Sequence, residues 1–247
     1  MKIVLLGYGK MGRMIERFAL DRGHEIALMV DVDNRADITA ADLADADIAI
    51  DFSQPTSAIG NIHLCFEAGL PIVVGTTGWY GHLEEIRSLC LEKDQTLLYG
   101  SNFSIGVNVF FHINRLLAKV MDAYKQYDVQ VEEIHHTEKL DAPSGTAITI
   151  AEGILDGLAH KTRWVNTLAE ESTELVPKPD ELLIQSFRID DVPGTHTVLY
   201  SSEVDRLEFR HTAHSRAGFA LGAVVAAEWL LGKKGFFQVT EVFDMGI

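Results

Sequence analysis

Two histidines and a lysine fall within five positions, His135, His136 and Lys139, in the run EIHHTEKLDAPSGTA over 133–147. An imidazole titrates near neutrality and so suits the transfer of a proton to a reacting substrate atom. The Lys139 ammonium adds a compact positive charge and further donors. Pro143 favours the first turn of a helix, read here over 143–158. Ser144, Gly145 and Thr146 would then present hydroxyls and unpaired N–H groups at the end of a helix that attracts anions. The combination suits a site that holds a carboxylate and protonates its owner. Taken singly, each residue has an ordinary reading, a strand-end histidine or a solvated lysine. Adjacent strand residues point to opposite faces, so His135 and His136 can serve one pocket only if the strand stops there.

A second constellation lies at the start of the chain. The apolar run KIVLL leads into Gly7, Tyr8, Gly9, Lys10, Met11 and Gly12. Next come an amphipathic stretch over 11–22 and a second apolar run ending at Asp31. Strand, GxGxxG, helix, strand and an acidic residue about 20 positions after the last glycine form the fingerprint of dinucleotide binding. In that reading Gly7 permits the tight turn, Gly9 lets a pyrophosphate approach the backbone, and Gly12 lets helix and strand pack closely. Asp31 would hydrogen-bond the adenosine ribose and tends to repel a 2′-phosphate, so NADH should at least be tolerated. Arg35 nearby could pair with a 2′-phosphate, so NADPH stays open.

These residues need a scaffold, and the pattern of elements supplies one. Up to residue 103, strands ending near Phe52, Val74 and Tyr99 alternate with helical stretches over 55–68 and 82–93. That alternation predicts an α/β, Rossmann-like, doubly wound parallel sheet. Ligands gather at the carboxyl ends of such strands. Two loops sit there, Gly75-Thr76-Thr77-Gly78 and Gly100-Ser101-Asn102-Phe103, both open to cofactor-contact and plain-turn readings.

From 104 a helix over 107–121, a strand over 127–135 and strands over 182–189, 195–201 and 206–211 predict a second, α+β domain with an open mixed or largely antiparallel sheet. The acidic stretch 163–181 reads as an exposed loop. His211 and His214 read as polar sheet positions, and no metal is expected. A final helix over 217–231, rich in alanine and glycine, would pack tightly on the first domain. The predicted division is thus 1–103 with 216–247, and 104–215 for substrate binding and oligomerisation.

Composition limits what such a protein binds. The net charge of −15 over 247 residues disfavours nucleic acid and anionic lipid. No apolar run approaches the roughly 18 residues of a membrane span. The start lacks the longer apolar core of a secretory signal. Cys65 and Cys90 form no CxxC pair, and a reducing cytoplasmic setting is the expectation.

EIHHTEKLDAPSGTA resembles the signature of the dihydrodipicolinate reductase family, as do the GTTG loop, SNFSIGVNV, GTHTVLY, RLEFRHTAHSR and the terminal helix. The resemblance covers nearly the whole chain. It implies NADH- or NADPH-dependent reduction of a cyclic imine dicarboxylate in lysine and diaminopimelate synthesis, by a homotetramer assembled through the substrate-domain sheet. It further implies His135 as general acid and Lys139 as a substrate-binding and proton-donating group. His136, Gly145, Thr146 and Arg216 correspond to substrate contacts. Gly7–Gly12, Asp31, Gly75–Thr77 and Gly100–Phe103 correspond to cofactor contacts. Lys10 stands where many members carry a longer, Arg-containing loop, which leaves the cofactor preference undecided. Two rival readings keep the fold. One changes the substrate, to an amino-acid or semialdehyde dehydrogenase; an acylating semialdehyde enzyme would need a catalytic cysteine, and neither cysteine lies in the second half. A non-catalytic nucleotide-binding protein would be marked by loss of His135 or Lys139, and both are present.

Overall fold

The structure is a computed structural model and describes residues 1–168 and 176–243. The chain divides into two compact units, Met1–Ile105 with Ala217–Ile247, and Gly106–Arg216.

The first unit is built on β1 (Lys2–Leu6), β2 (Glu25–Val30), β3 (Ile48–Asp51), β4 (Ile72–Val74) and β5 (Thr96–Tyr99). Between them run the helices α1 (Lys10–Asp21), α2 (Pro55–Ala68) and α3 (Leu83–Glu92). The sheet order is β2-β1-β3-β4-β5, with every pairing parallel. Such a sheet is covered on both faces, so its strands are apolar throughout rather than alternating. β1 shows the consequence: Val4 and Leu6 enter the core under α2 and α3, while Ile3 and Leu5 enter the core under α1 and the last long helix. A Pro at the first turn of α2 and a left-handed Gly69 just past its end fix that helix's limits.

The second unit contains α4 (Ile105–Met121), β6 (Asp128–His135), α5 (Gly145–Leu155), β7 (Arg163–Leu168), β8 (Glu181–Arg188), β9 (Thr195–Ser201) and β10 (Arg206–Thr212). Its sheet runs β10-β9-β6-β8-β7. The β10–β9 and β9–β6 pairings are antiparallel, while β6–β8 and β8–β7 are parallel. The sheet is therefore mixed in equal parts, not largely antiparallel. The 163–181 stretch is not wholly loop either. Arg163–Leu168 forms an edge strand, exposed at Arg163 and half-buried beyond it, and residues 169–175 of the expected loop lie outside the described residues. One face of the sheet, through Val129, Val131, Leu182, Ile184, Val198 and Tyr200, packs under α4 and α5.

The chain then completes the first unit with α6 (Ala217–Leu230), β11 (Gly235–Gln238) and α7 (Val239–Val242). Ala220, Ala223, Ala226 and Ala227 are buried on that unit's sheet, the tight packing expected of small residues. Gly222 sits so close to the Phe103 carbonyl that a β-carbon would fall 1.6 Å from its oxygen. β11 adds a parallel edge strand beside β5 that four residues were too short to announce. No helix among the described residues is long and apolar enough to cross a membrane.

Candidate active site

Each unit carries a concentration of polar groups that could bind a ligand. In the first, Gly7 leaves β1 with φ +96°, and a β-carbon there would lie 2.3 Å from the Phe52 carbonyl oxygen. Gly12 faces back on the same turn, 2.3 Å from the Gly7 carbonyl oxygen by the same measure. Only glycine fits either place. Gly9, the residue before α1, has open space where a side chain would be, and the N-terminus of a 12-residue helix faces it. A cavity of about 360 Å³ opens there, lined by Gly7, Tyr8, Gly9, Asp31, Arg35, Phe52, Ser53, Gln54, Ser57 and Asn61 together with Val30 and Val32. The empty cradle over Gly9, the helix end and the Asp31 carboxylate fit a dinucleotide.

The cavity walls are held from behind. Asp31 Oδ1 accepts the Asp33 N–H at 2.9 Å, which fixes its carboxylate at the end of β2. Arg35 donates from Nε to Asn61 Oδ1 (2.7 Å) and from Nη2 to the Gly60 carbonyl (3.1 Å). Asn61 in turn donates to Asp51 and Ser53. Asp51 is fully buried, and burial pushes its carboxyl up to about 6 against the opposing pull of Ser53, Asn61 and Thr76. Tyr8 is pinned by its hydroxyl to Glu16 and lies under the Arg13 guanidinium. Arg35 was anticipated from sequence. Ser53, Gln54, Ser57 and Asn61 were not, because a strand end followed by S-Q-P-T carries only a turn signal.

The other anticipated cofactor residues are distributed around this cavity rather than in it. Lys10 is exposed, Met11 packs half-buried against the core, and neither lines the cavity. The loops after β4 and β5 also lie outside it. A β-carbon on Gly75 would strike the Phe52 ring, and one on Gly100 would strike Val239. Thr76 is buried, its hydroxyl accepting the Ser53 N–H at 2.8 Å. Thr77 and Ser101 are exposed, and Asn102 is half-buried with Oδ1 accepting the Ser104 N–H. Phe103 is a core residue, 1% exposed and edge-on to Phe52.

In the second unit, period-two alternation along β6 puts Glu133 and His135 on the helix-covered face with Val129 and Val131. Register supplies their neighbours: Glu133 sits opposite Ser186 on β8 and His196 on β9, and His135 sits opposite Arg188. Glu133 is wholly buried. It accepts the Ser144 N–H on both oxygens at 3.1 Å and the Ser186 hydroxyl at 2.7 Å. The Arg188 guanidinium lies 3.7 Å from Oε1, and His135 Nδ1 lies 3.4 Å from Oε2. His196 Nε2 is 3.8 Å from Oε2 and 3.2 Å from the Ser144 hydroxyl. Burial lowers the His135 pKa, Lys139 and Arg188 lower it further, and Glu133 opposes them. Burial also holds His196 down, to about 3.

Glu133, His135 and His196 could supply a metal's ligand atoms by distance alone. The carboxylate, however, is already engaged by two donors, with a guanidinium beside it. The arrangement is that of a hydrogen-bonded hub. His211 is half-buried in β10 and His214 is exposed, and neither belongs to this cluster.

Strand β6 ends at His135, which frees His136 from the alternation. The following loop is tied down by Arg188, whose Nε donates to the Lys139 carbonyl (3.2 Å) and Nη2 to the Asp141 carbonyl (2.7 Å). Lys139 Nζ is held by both oxygens of Asp141 at 2.6 and 2.8 Å, which draws the Asp141 carboxyl below its ordinary range. The helix begins later than expected. Pro143 stays outside α5, because Ser144 is the N-cap: its hydroxyl accepts the Ala147 N–H and its own N–H is taken by Glu133. Gly145 then opens α5 with open space where a side chain would stand, and Thr146 follows half-buried. Arg216 is exposed at the last position of the unit. Glu133, Ser186, Arg188 and His196 were missed by the sequence reading. A glutamate on the inner phase of a V-x-V-x-E-x-H strand was the available signal for the first.

Comparison with known proteins bears on both halves. Residues 1–103 match the family model "Dihydrodipicolinate reductase, N-terminus", and 106–243 match "Dihydrodipicolinate reductase, C-terminus". The chain is 48% identical to the 4-hydroxy-tetrahydrodipicolinate reductase of Christiangramia forsetii over 99% of this chain and 98% of that one. It is 33% identical to the enzyme of that name from Neisseria meningitidis serogroup B, over 93% and 84%. Among solved structures, the dipicolinate-bound dihydrodipicolinate reductase from Paenisporosarcina sp. TG-14 superposes with a TM-score of 0.77 at 22% identity, covering 98% of this chain and 99% of that one. That last likeness concerns the fold.

Proposed function

The chain belongs to the dihydrodipicolinate reductase family, and from that premise we propose that it reduces 4-hydroxy-tetrahydrodipicolinate to tetrahydrodipicolinate, with loss of water, at the expense of NADH or NADPH. The observation that carries the reading is the paired provision of the two units. The first has a glycine cradle at a helix end with an acidic residue at the next strand. The second has a buried imidazole beside a lysine and an open helix N-terminus.

When bound, the nicotinamide supplies the hydride. The protein's own residues do the rest. The α1 N-terminus and the Gly7–Gly12 turn hold the pyrophosphate, and Asp31 takes the ribose hydroxyls. Arg35 is engaged only by neutral acceptors among the described residues, so its charge remains available to a 2′-phosphate. Both cofactors are therefore accepted. In the second unit Gly145 and Thr146 at the α5 N-terminus take one substrate carboxylate, and Lys139 takes the other in exchange for Asp141. His136 and Arg216 add further substrate contacts. His135 donates a proton to the reduced substrate, a contribution worth about 10²–10⁴ in rate. The family's assembly as a homotetramer through the second unit's sheet, and a cytoplasmic site of action, complete the proposal. The two free, buried cysteines suit a reducing compartment.

The test is to supply freshly prepared 4-hydroxy-tetrahydrodipicolinate with NADH or NADPH and follow the nicotinamide absorbance. Substrate-dependent oxidation of both cofactors is expected, and oxidation of neither would overturn the reading. Sedimentation velocity checks the tetramer.

A further inference from the structure

Glu133 occupies a position that the reaction does not account for. A wholly buried carboxylate is costly unless its oxygens are engaged, and here three of the groups around it lead to different parts of the substrate apparatus. The Ser144 N–H ties it to the start of α5, where a substrate carboxylate is to be held. Arg188 connects it to the two carbonyls that fix the Lys139 loop. His135 Nδ1, a buried nitrogen with no hydrogen-bond partner among the described residues, stands 3.4 Å from Oε2. On the other edge of the His135 ring, a β-carbon on Gly194 would come within 3.1 Å of Nε2, so glycine keeps that nitrogen from being crowded.

We infer that Glu133 is a positioning residue for proton delivery, holding His135 through Nδ1 so that Nε2 presents the proton, and locking this donor to the carboxylate-binding turn of α5. The inference rests on the reading of His135 as the acid. In the proton-charged state both ring nitrogens carry hydrogen. A modest closing of the 3.4 Å gap lets Nδ1–H donate to Glu133, which fixes the ring's orientation and favours the imidazolium over neutral imidazole. On turnover the N–H bond at Nε2 breaks and its proton passes to the substrate. Nδ1 keeps its hydrogen toward Glu133, and Nε2 is recharged from solvent. The orienting logic is that of a carboxylate behind an active-site histidine, in which the carboxylate itself takes no proton.

The groups facing His135 are Glu133 on its own strand, Arg188 from β8, His196 from β9, and Lys139 and Asp141 from the loop. Among them Glu133 is the chief one holding the imidazolium against burial and two cations. Removing its charge therefore moves the His135 titration, and with it the alkaline limb of the rate profile, to lower pH.

The experiment compares wild type, Glu133→Gln, Ser186→Ala and His135→Gln. For each, kcat and KM are measured across pH, NADH binding by fluorescence, thermal unfolding, and the His135 imidazole by ¹⁵N NMR titration. Expected for Glu133→Gln is a loss in kcat of about 10–100-fold, by analogy with carboxylates that orient metal-bound histidines. KM should change much less, with NADH affinity intact and the His135 titration shifted down. Ser186→Ala, which leaves the Glu133 charge but removes one of the donors that hold it in place, should lower kcat by less and should not lower the His135 titration. A folded Glu133→Gln enzyme with wild-type kcat and an unmoved His135 titration would overturn the inference, even if its melting temperature fell. Should Glu133→Gln fail to fold, Ser186→Ala decides, and an unchanged kcat there overturns it equally. If His135→Gln itself turns over normally, the acid assignment fails and carries the inference with it. If His135→Gln is crippled while Glu133→Gln is not, the inference alone falls.

Discussion

The two units prepare for their ligands by opposite means. The first makes room: Gly7, Gly9 and Gly12 withdraw side chains so that backbone and helix dipole do the binding, and its charged residues Asp31 and Arg35 stand partly exposed on a cavity wall. The second fills its room with buried polar groups. Glu133, His135, Ser144, Ser186 and His196 are all less than one-tenth exposed and hold one another in place. A site made by subtraction should be sensitive above all to volume. A site made from buried titratable groups should be sensitive above all to pH.

The sharpest way to break that contrast is to add a methyl group in the first unit. Gly7→Ala meets the Phe52 carbonyl and demands a positive φ of an alanine. It should cost about 3 kcal/mol or more in unfolding free energy. NADH binding should be lost, and the penalty should be equal at pH 6 and pH 8. Urea titrations at both pH values with fluorescence binding check this.

The second unit's pH dependence should run opposite to that of the first, whose buried Asp51 carboxyl, raised to about 6, favours the folded chain toward acid. His196 is held near 3 in the folded chain against about 6.5 when unfolded. Between those values the unfolded chain binds a proton that the folded chain refuses. Stability contributed by keeping His196 neutral is thus fully present above about 6.5 and is lost as pH falls toward 3. Burial lowers His135 in the same sense. By denaturant titration, His196→Asn should lose less stability than wild type between pH 8 and pH 5.

Smaller effects refine the picture. Asp141→Asn removes the carboxylate that occupies Lys139. The KM for substrate should then fall by about two- to fivefold, the worth of a weak ion pair. Smallest of all should be Arg22→Ala. Its bidentate pairing with Glu228 ties the end of α1 to α6, but both side chains are partly solvated. A loss of about 0.5 kcal/mol is expected, shrinking further in high salt.

The scaffold was largely legible because its signals are local. The strand–glycine–helix opening, the apolar β3 and the Pro55–Ala68 helix each announce themselves within a few residues. The misreadings share a different cause. β7 is a half-polar edge strand whose existence depends on pairing with β8, about 18 residues on, which no window over 163–168 displays. The late start of α5 depends on Glu133 taking the Ser144 N–H, a contact across 11 residues. The candidate site divides in the same way. His135, Lys139 and Gly145 lie in one run, and their chemistry can be read there. Ser186, Arg188 and His196 arrive from β8 and β9 by sheet register alone, and nothing in their own neighbourhoods marks them. Phe103 shows the converse. It lies in a motif at a strand end, yet its ring belongs to the core.

One measurement bears most directly on the division of labour between the units: turnover and NADH affinity of His135→Gln, determined on the same preparation. The account predicts turnover lower by about 10²–10⁴ with NADH affinity unchanged. Turnover within twofold of wild type, or a parallel collapse of NADH binding, would contradict it.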